Sequence, residues 1–266
     1  MLDALKYWVQ EIGVDGYRCD AAGYVPVDFW EFVRKELDAV KPVFLLAEWE
    51  SRDLHKKAFD MTSAWKLWNK MHSVINEGKS VRTIVSYFAT QTNSFPSDAI
   101  KMNFVSNHDK NSWDGSQYEL FGDGLEAVIV MTGTISGMPL LYSGQEAGMN
   151  KRLKFFEKDL IEFKEHKIGE IYRKLFDLKH KNQALWNGSW GGKMIRIYSD
   201  RMEQVISFTR QKNGDKVIIA INFTNEYAKK VKLDTKYHAG DYVELFTDKL
   251  YHLEGNDEMD FLPFGY

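Results

Sequence analysis

The chain has 266 residues, of which 44% are apolar and 14% aromatic, enough to bury a sizeable core in one large domain or in a large and a small one. Its 35 Lys and Arg residues nearly balance its 38 Asp and Glu residues, and the two signs are interspersed, which excludes a broad basic field for nucleic acid. Its one cysteine, Cys19, excludes an internal disulfide, and no stretch reaches the ~20 apolar residues of a membrane span.

The first two thirds of the chain alternate between helical and extended patterns. Residues 2–12 carry apolar side chains at helical spacing, and Gly13 ends that helix. Apolar runs then predict strands over 14–20, 43–48, 59–61, 99–109 and 139–146. Helical spacing predicts helices over 27–40, 52–59, 64–78, 80–90, 124–136 and 168–185. Such alternation is typical of parallel βα units.

Beyond residue 185 the period of the pattern falls to about two. Short strands are predicted over 194–200, 204–211, 216–224, 228–234 and 241–247, and Asn213-Gly214 is a hairpin turn signal between two of them. We therefore expect two domains. Residues 1–185 form the α/β part, and residues 186–266 form an antiparallel β domain, most simply a sandwich.

Polar residues collect at the carboxyl ends of the predicted parallel strands. Asp20, Glu48 and the pair His108-Asp109 each end such a strand. In a (β/α) barrel the active site lies at that face, so carboxylates there indicate catalysis rather than structure. A triad or metal site at His108 is not favoured, because neither a second close His nor a Gly-x-Ser-x-Gly elbow accompanies it.

The first strand ends in a pair of opposite charges. Because strand side chains alternate, Arg18 and Asp20 point the same way and Cys19 points to the other face. An Arg beside a carboxylate holds it ionised, as a nucleophile requires. The alternative is a simple salt bridge inside a barrel.

Glu48 ends an apolar run and precedes Trp49. We expect these apolar surroundings to raise its carboxyl pKa, as a general acid needs. Two carboxyl groups in opposed environments form the pattern of glycoside hydrolysis. The alternative for a lone Glu at a strand end is an ordinary loop residue.

Four segments in series resemble the α-amylase superfamily of glycoside hydrolases. The segments are GVDGYRCDAA, FLLAEWE, FVSNHDKN and GMPLLYSGQEAGM. The resemblance implies a (β/α)8 barrel followed by an all-β domain. It also implies retaining cleavage of α-1,4-glucosidic bonds in starch or maltooligosaccharides, with that substrate as the partner and neither nucleic acid nor membrane.

The resemblance also implies a role for each matched residue. Asp20 matches the nucleophile, Glu48 the general acid and base, and Asp109 a third carboxylate that grips sugar hydroxyls. Arg18 matches the arginine that positions the nucleophile, and His108 a histidine that binds sugar hydroxyls. Hydrolysis is the leading expectation, with transglycosylase, α-glucosidase or non-catalytic carbohydrate-binding and chaperone-like homologues as alternatives.

The chain departs from the family pattern in one short stretch. Gly23-Tyr24 stands where many members have Lys-His, so the usual acceptor-side sugar contacts are not expected there. Tyr24 either stacks on a sugar or packs in the fold. Tyr24 and Trp49 complete the candidate substrate-binding set.

The pattern holds about five βα units where eight close a barrel. We therefore expect the C-terminal part of a longer enzyme, inactive alone, with the first three strands missing. A second chain covering the open barrel edge is the less favoured explanation. No metal site is predicted within the chain, and calcium is expected only as a ligand of the full-length parent.

Overall fold

A computed structural model describes residues 1–91 and 94–266, together with the backbone of residues 92–93. Its first part is a five-stranded, all-parallel sheet in which the strands neighbour one another in chain order. The strands are β1 (Gly16–Cys19), β2 (Phe44–Ala47), β3 (Met61–Ser63), β4 (Ile100–Phe104) and β5 (Met138–Leu140). The predicted fold class, part of a (β/α) barrel followed by antiparallel strands, is confirmed.

Eight helices connect and cover these strands. They are α1 (Leu2–Tyr7), α2 (Val27–Asp38), α3 (Leu54–Lys57), α4 (Trp65–Glu77), α5 (Arg82–Ser94), α6 (Gln117–Phe121), α7 (Leu125–Thr134) and α8 (Lys167–Lys181). A π-helical turn at Trp8–Ile12 continues α1 up to Gly13, whose φ of 83° ends it. Helix α7 is apolar around most of its circumference and is buried along most of its length, as expected for a helix covered on all sides.

Strands β4 and β5 end well before their predicted last residues, for local reasons. Strand β4 ends at Phe104 and not at 109, because Asn107 Oδ1 accepts the Lys110 N–H and a helical turn begins there. Strand β5 ends at Leu140 and not at 146, because Gln145 Oε1 turns back to accept the Tyr142 N–H. The carboxyl-end residues of these two units therefore lie on turns.

Two other elements were misplaced or missed. Strand β3 covers Met61–Ser63 where 59–61 was predicted, since Met61 and Thr62 pair with Leu46 and Ala47 of β2. Helix α6 was not predicted, although a reciprocal capping box between Ser116 and Glu119 begins it.

The last third of the chain is antiparallel. Strands β6 (Met194–Arg196), β7 (Val205–Lys212) and β8 (Asp215–Asn222) form one sheet, β9 (Ala228–Leu233) pairs with β12 (Asp257–Phe261), and β10 (Gly240–Val243) pairs with β11 (Leu250–Leu253). The hairpin at Asn213-Gly214 is present, with positive φ at both residues. Strands β11 and β12 were not predicted. The division at residue 185 stays a prediction.

One buried arginine connects the two parts. Arg210 of β7 is 1% exposed and donates to the carbonyls of Thr134 and Ile135, at the carboxyl end of α7. The Leu185 carbonyl also accepts from Nη1, and the carbonyls of Gly192 and Trp186 accept from Nε and Nη2. Burial lowers its pKa to about 10. A cation is well placed at a helix carboxyl end, where the helix dipole is negative.

A second buried cation lies beside it. Lys179 Nζ of α8 donates to the carbonyls of Gly137 and Leu185 and to the side-chain oxygen of Asn187, over 2.5–3.2 Å. Burial, aided by the charge of Arg210, lowers the pKa of Lys179 to about 7. Two neighbouring cations thus fasten α7, α8 and the β5 entry to the antiparallel part.

Candidate active site at the carboxyl ends of the sheet

Asp20 and Glu48 meet on one guanidinium. Arg18 pairs with Leu46 in the parallel register, so the residues two positions further on both pass the strand ends on the same face. Arg18 Nη1 lies 2.5 Å from Asp20 Oδ1, and its Nη2 lies 3.5 Å from Glu48 Oε2. The expected Arg18–Asp20 contact is present, and the structure adds Glu48 to it.

The two carboxylates differ in exposure. The Asp20 side chain is 77% exposed at the edge strand, whereas that of Glu48 is 22% exposed. Glu48 also accepts the backbone N–H of Ala21 at 2.8 Å, and Ala21 adopts a left-handed φ of 45° that brings this group round. The surroundings of Glu48 are therefore less apolar than the sequence indicated, since two polar donors reach its carboxylate.

Cys19 faces the helices, as the strand alternation predicted. It is buried among apolar side chains that include Val9, Ala22 and Trp30. Burial raises the pKa of its thiol to about 11, and the neighbouring Arg18 offsets only part of this effect. The thiol is neutral near pH 7 and takes no part in the polar site.

The departure at Gly23-Tyr24 has a packing explanation. A Cβ at Gly23 would lie 2.0 Å from the Trp49 indole, so only glycine admits this close approach. The Tyr24 ring meets the Trp49 ring edge-on, with centroids 5.1 Å apart and planes at 61°. Most of the Tyr24 side chain is nevertheless exposed. Tyr24 and Trp49 therefore form an open aromatic surface beside Glu48.

His108 and Asp109 form a second group after β4. His108 Nε2 lies 3.4 Å from Asp109 Oδ2, and both side chains are partly exposed. No hydrogen bond or ion pair between side chains of the described residues joins Asp109 to Asp20 or Glu48. Burial, with a smaller contribution from the Asp109 charge, raises the pKa of Tyr142, a residue at the end of β5 that the sequence did not single out.

A buried carboxylate anchors the loop after Glu48. Glu50 is 3% exposed and accepts the Lys66 N–H at the start of α4 at 2.7 Å and the Tyr87 hydroxyl at 3.2 Å. Its other close partner is Lys101 Nζ, 3.6 Å away. The segment carrying Glu48 is thus tied to two helices and to β4.

The same network continues along the sheet. Lys101 Nζ donates to Thr62 Oγ1, which also contacts His55 Nε2 at 2.8 Å. Burial lowers the pKa of Lys101 to about 8, although the negative charge of Glu50 acts in the opposite direction. Burial is also the main cause that lowers the pKa of His55 to about 4. Sequence reasoning missed this network, although a Lys within the apolar strand segment AIKMNF was a signal.

Neither a metal cluster nor a membrane helix is found among the described residues. Within residues 1–91 and 94–266, no three His, Cys, Asp or Glu side chains are placed to hold a metal ion. No helix in the same part of the chain is long and apolar enough to cross a bilayer.

Comparison with known proteins identifies the antiparallel part first. Residues 197–260 match the model of the alpha amylase C-terminal all-beta domain. A maltogenic alpha-amylase from Thermotoga neapolitana superposes with a TM-score of 0.84 at 28% identity, covering 98% of this chain and 62% of that one. The resemblance to the α-amylase superfamily is confirmed. An alpha-amylase from Geobacillus thermoleovorans, solved with acarbose, has the same fold, with a TM-score of 0.79 at 22% identity over 98% of this chain and 61% of that one.

Curated members of the same superfamily are similar to this chain at lower identity. Alpha-amylase 2 of Dictyoglomus thermophilum is 24% identical over 94% of this chain, and a cyclomaltodextrinase of Thermoanaerobacter pseudethanolicus is 23% identical over 84%. This chain spans 45% and 39% of those two proteins. The superfamily match therefore extends over most of this chain but over less than half of these relatives.

Proposed function

We propose that this chain carries the catalytic residues of an α-glucan-active glycoside hydrolase. The observation that carries the proposal is the shared guanidinium: Arg18 contacts both Asp20 and Glu48 at the carboxyl ends of adjacent parallel strands. Similarity to alpha-amylases and cyclomaltodextrinases supports α-1,4-glucans as the substrate class. Activity is proposed for a polypeptide in which further strands complete the sheet, supplied by a longer chain or by a second one.

In the proposed mechanism Asp20 is the nucleophile. Its carboxylate attacks the anomeric carbon while the bond to the leaving oxygen breaks, forming a covalent glycosyl ester. Arg18 keeps the attacking oxygen oriented, because its Nη1 is in direct contact with that carboxylate. Support for retention comes from the common guanidinium, since retaining enzymes need two carboxyl groups only about 5–5.5 Å apart.

Glu48 is proposed as the general acid and base. It donates its proton to the leaving oxygen in the first step and removes one from water in the second. The Ala21 N–H and the Glu50 anchor hold the segment that carries it, so its direction is fixed before substrate arrives. His108 and Asp109, which follow β4, are proposed to bind hydroxyl groups of the sugar.

Transfer to a sugar acceptor is a second candidate. The exposed Tyr24 ring beside Trp49 offers an apolar surface close to Glu48, on which an acceptor sugar could displace water. The product distribution with maltotriose distinguishes the two reactions, because transfer yields longer oligosaccharides and hydrolysis only shorter ones.

The test uses the complete protein that contains this chain, with starch or maltoheptaose as substrate. We expect Glu48→Gln to lower kcat about 10²–10⁴-fold, the range of general acid–base catalysis. Asp20→Asn should lower it at least as much, whereas Asp123→Asn, a carboxylate in the loop before α7, should change it less than twofold. Near-normal rates in both site variants would refute the assignment. An inverted first product, seen by NMR, would refute the double displacement.

A further inference from the structure

Three exposed aromatic rings gather beside His108. Trp113 lies in the turn after β4, and Phe155 and Phe156 lie in the segment that follows β5. The Phe155 centroid is 5.0 Å from that of Trp113 and 4.9 Å from that of Phe156, and the His108 ring is 6.2 Å from Phe155. We call Trp113, Phe155 and Phe156 the aromatic patch. It is continuous with the candidate site.

The patch is held in place by its backbone. The buried Asn111 donates to the Lys151 carbonyl at 2.9 Å and accepts the Leu153 N–H at 2.8 Å, which joins the two segments that carry the rings. Arg152 lies between these two anchor points and contacts both carboxylate oxygens of Glu119. The rings are therefore pre-positioned rather than carried on a free loop, which lowers the entropy lost on binding.

The size of the patch favours a small ligand. Each ring has a surface of roughly 200 Å², of which about 40–85% is exposed. The exposed apolar area of the three rings is therefore on the order of 400 Å², about half of what one partner contributes to a stable protein interface. Charged side chains flank the rings along the chain, since Asp114 follows Trp113 and Lys154, whose Nζ lies 2.8 Å from Glu157, precedes Phe155. Apolar rings within a polar frame match a glucose residue, which has an apolar face and a rim of hydroxyls.

We propose that the aromatic patch binds the glucosyl units of an α-1,4-glucan that extends past His108. This proposal rests on the substrate class of the proposed function but not on its chemistry. Phe156, whose side chain is 85% exposed, stacks on one sugar ring, and Trp113 supports the next. The charged groups of Asp114, Lys154 and Glu157 hydrogen-bond the hydroxyls of the same units.

The test measures the affinity of the 266-residue chain for maltoheptaose by titration calorimetry. Because an aromatic contact contributes about 0.5–1.5 kcal/mol, we expect Trp113→Ala and Phe156→Ala each to raise Kd about two- to tenfold. Matched controls are Phe163→Ala, an exposed phenylalanine of the same segment outside the patch, and Trp190→Ala, an exposed tryptophan near β6. Both controls should stay within twofold, and circular dichroism confirms that each variant is folded.

Three outcomes would overturn the proposal. The first is an unchanged Kd in both patch variants, and the second is no maltoheptaose binding by the unsubstituted chain. The third is a dimer, detected by sedimentation, that Phe156→Ala dissociates, because the patch would then be a protein interface. Failure of the proposed chemistry is seen separately. If the proposed chemistry is wrong, the Asp20→Asn and Glu48→Gln variants of the complete protein are as active as the parent, while the Kd differences measured on this chain remain.

Discussion

Lys179 should make the stability of the protein depend on pH in the neutral range. Its pKa is about 7 in the folded chain and about 10.4 in an unfolded one. Between these values the unfolded state binds more protons, so the unfolding free energy rises with pH. Over the interval from pH 7 to 9.5, this difference in proton binding raises the unfolding free energy by about 3 kcal/mol. The stability that Lys179 contributes is greatest above pH 10.4 and is lost as pH falls through 7.

The test replaces Lys179 with Met, which keeps most of the stem and removes the charge. Urea unfolding of both proteins at pH 6, 7, 8 and 9.5 gives the difference in unfolding free energy at each pH. Lys101, with a pKa of about 8, titrates in the same range but cancels in this difference. We expect the variant to lose about 2–3 kcal/mol relative to the parent between pH 7 and 9.5. A pH-independent difference would refute the coupling between this buried ammonium and folding.

Three further predictions concern single side chains. Gly23→Ala should lower the unfolding free energy by about 1–3 kcal/mol, because the added methyl overlaps the Trp49 indole, and unchanged urea unfolding would contradict the close approach. Arg210→Met should lower the unfolding free energy by about 3 kcal/mol or more, since several buried carbonyls lose their donor. Because 1 kcal/mol corresponds to about 2–4 °C in the thermal midpoint, a midpoint within 2 °C of the parent would refute this prediction. Cys19 should react with a disulfide reagent at pH 8 far more slowly in the native chain than in urea, and equal rates would show that the thiol is exposed.

The sequence was most informative where the structure depends on local periodicity. The strand ending in Arg18 and Asp20 and the strand ending in Glu48 were found because each is an extended run followed by a polar residue. Parallel pairing then follows from the intervening helix, whereas the register that brings Asp20 to Glu48 is given by the structure alone. The predicted contact between Arg18 and Asp20 depended only on their separation of two residues.

Contacts between distant residues could not be predicted in this way. Glu50 and Lys101 are 51 positions apart, and no local pattern shows that both become buried in one network. The aromatic patch likewise depends on Asn111, whose partners Lys151 and Leu153 lie 40 and 42 residues later. Sequence composition does not separate buried from exposed aromatic residues. Their separation into buried and exposed rings is a tertiary property.

The position of Asp20 gives a physical reason for proposing activity only in a completed sheet. Strand β1 is an edge strand, and the Asp20 side chain that follows it is 77% exposed, whereas Glu48 on the next strand is largely covered. A carboxylate in water is stabilised by solvent, which weakens both its attack and the effect of Arg18 on it. A strand lying along β1 would displace that solvent while leaving the Arg18 contacts in place. The same strand would satisfy the free backbone groups of the edge. Barrel closure would therefore act on the nucleophile more than on the acid.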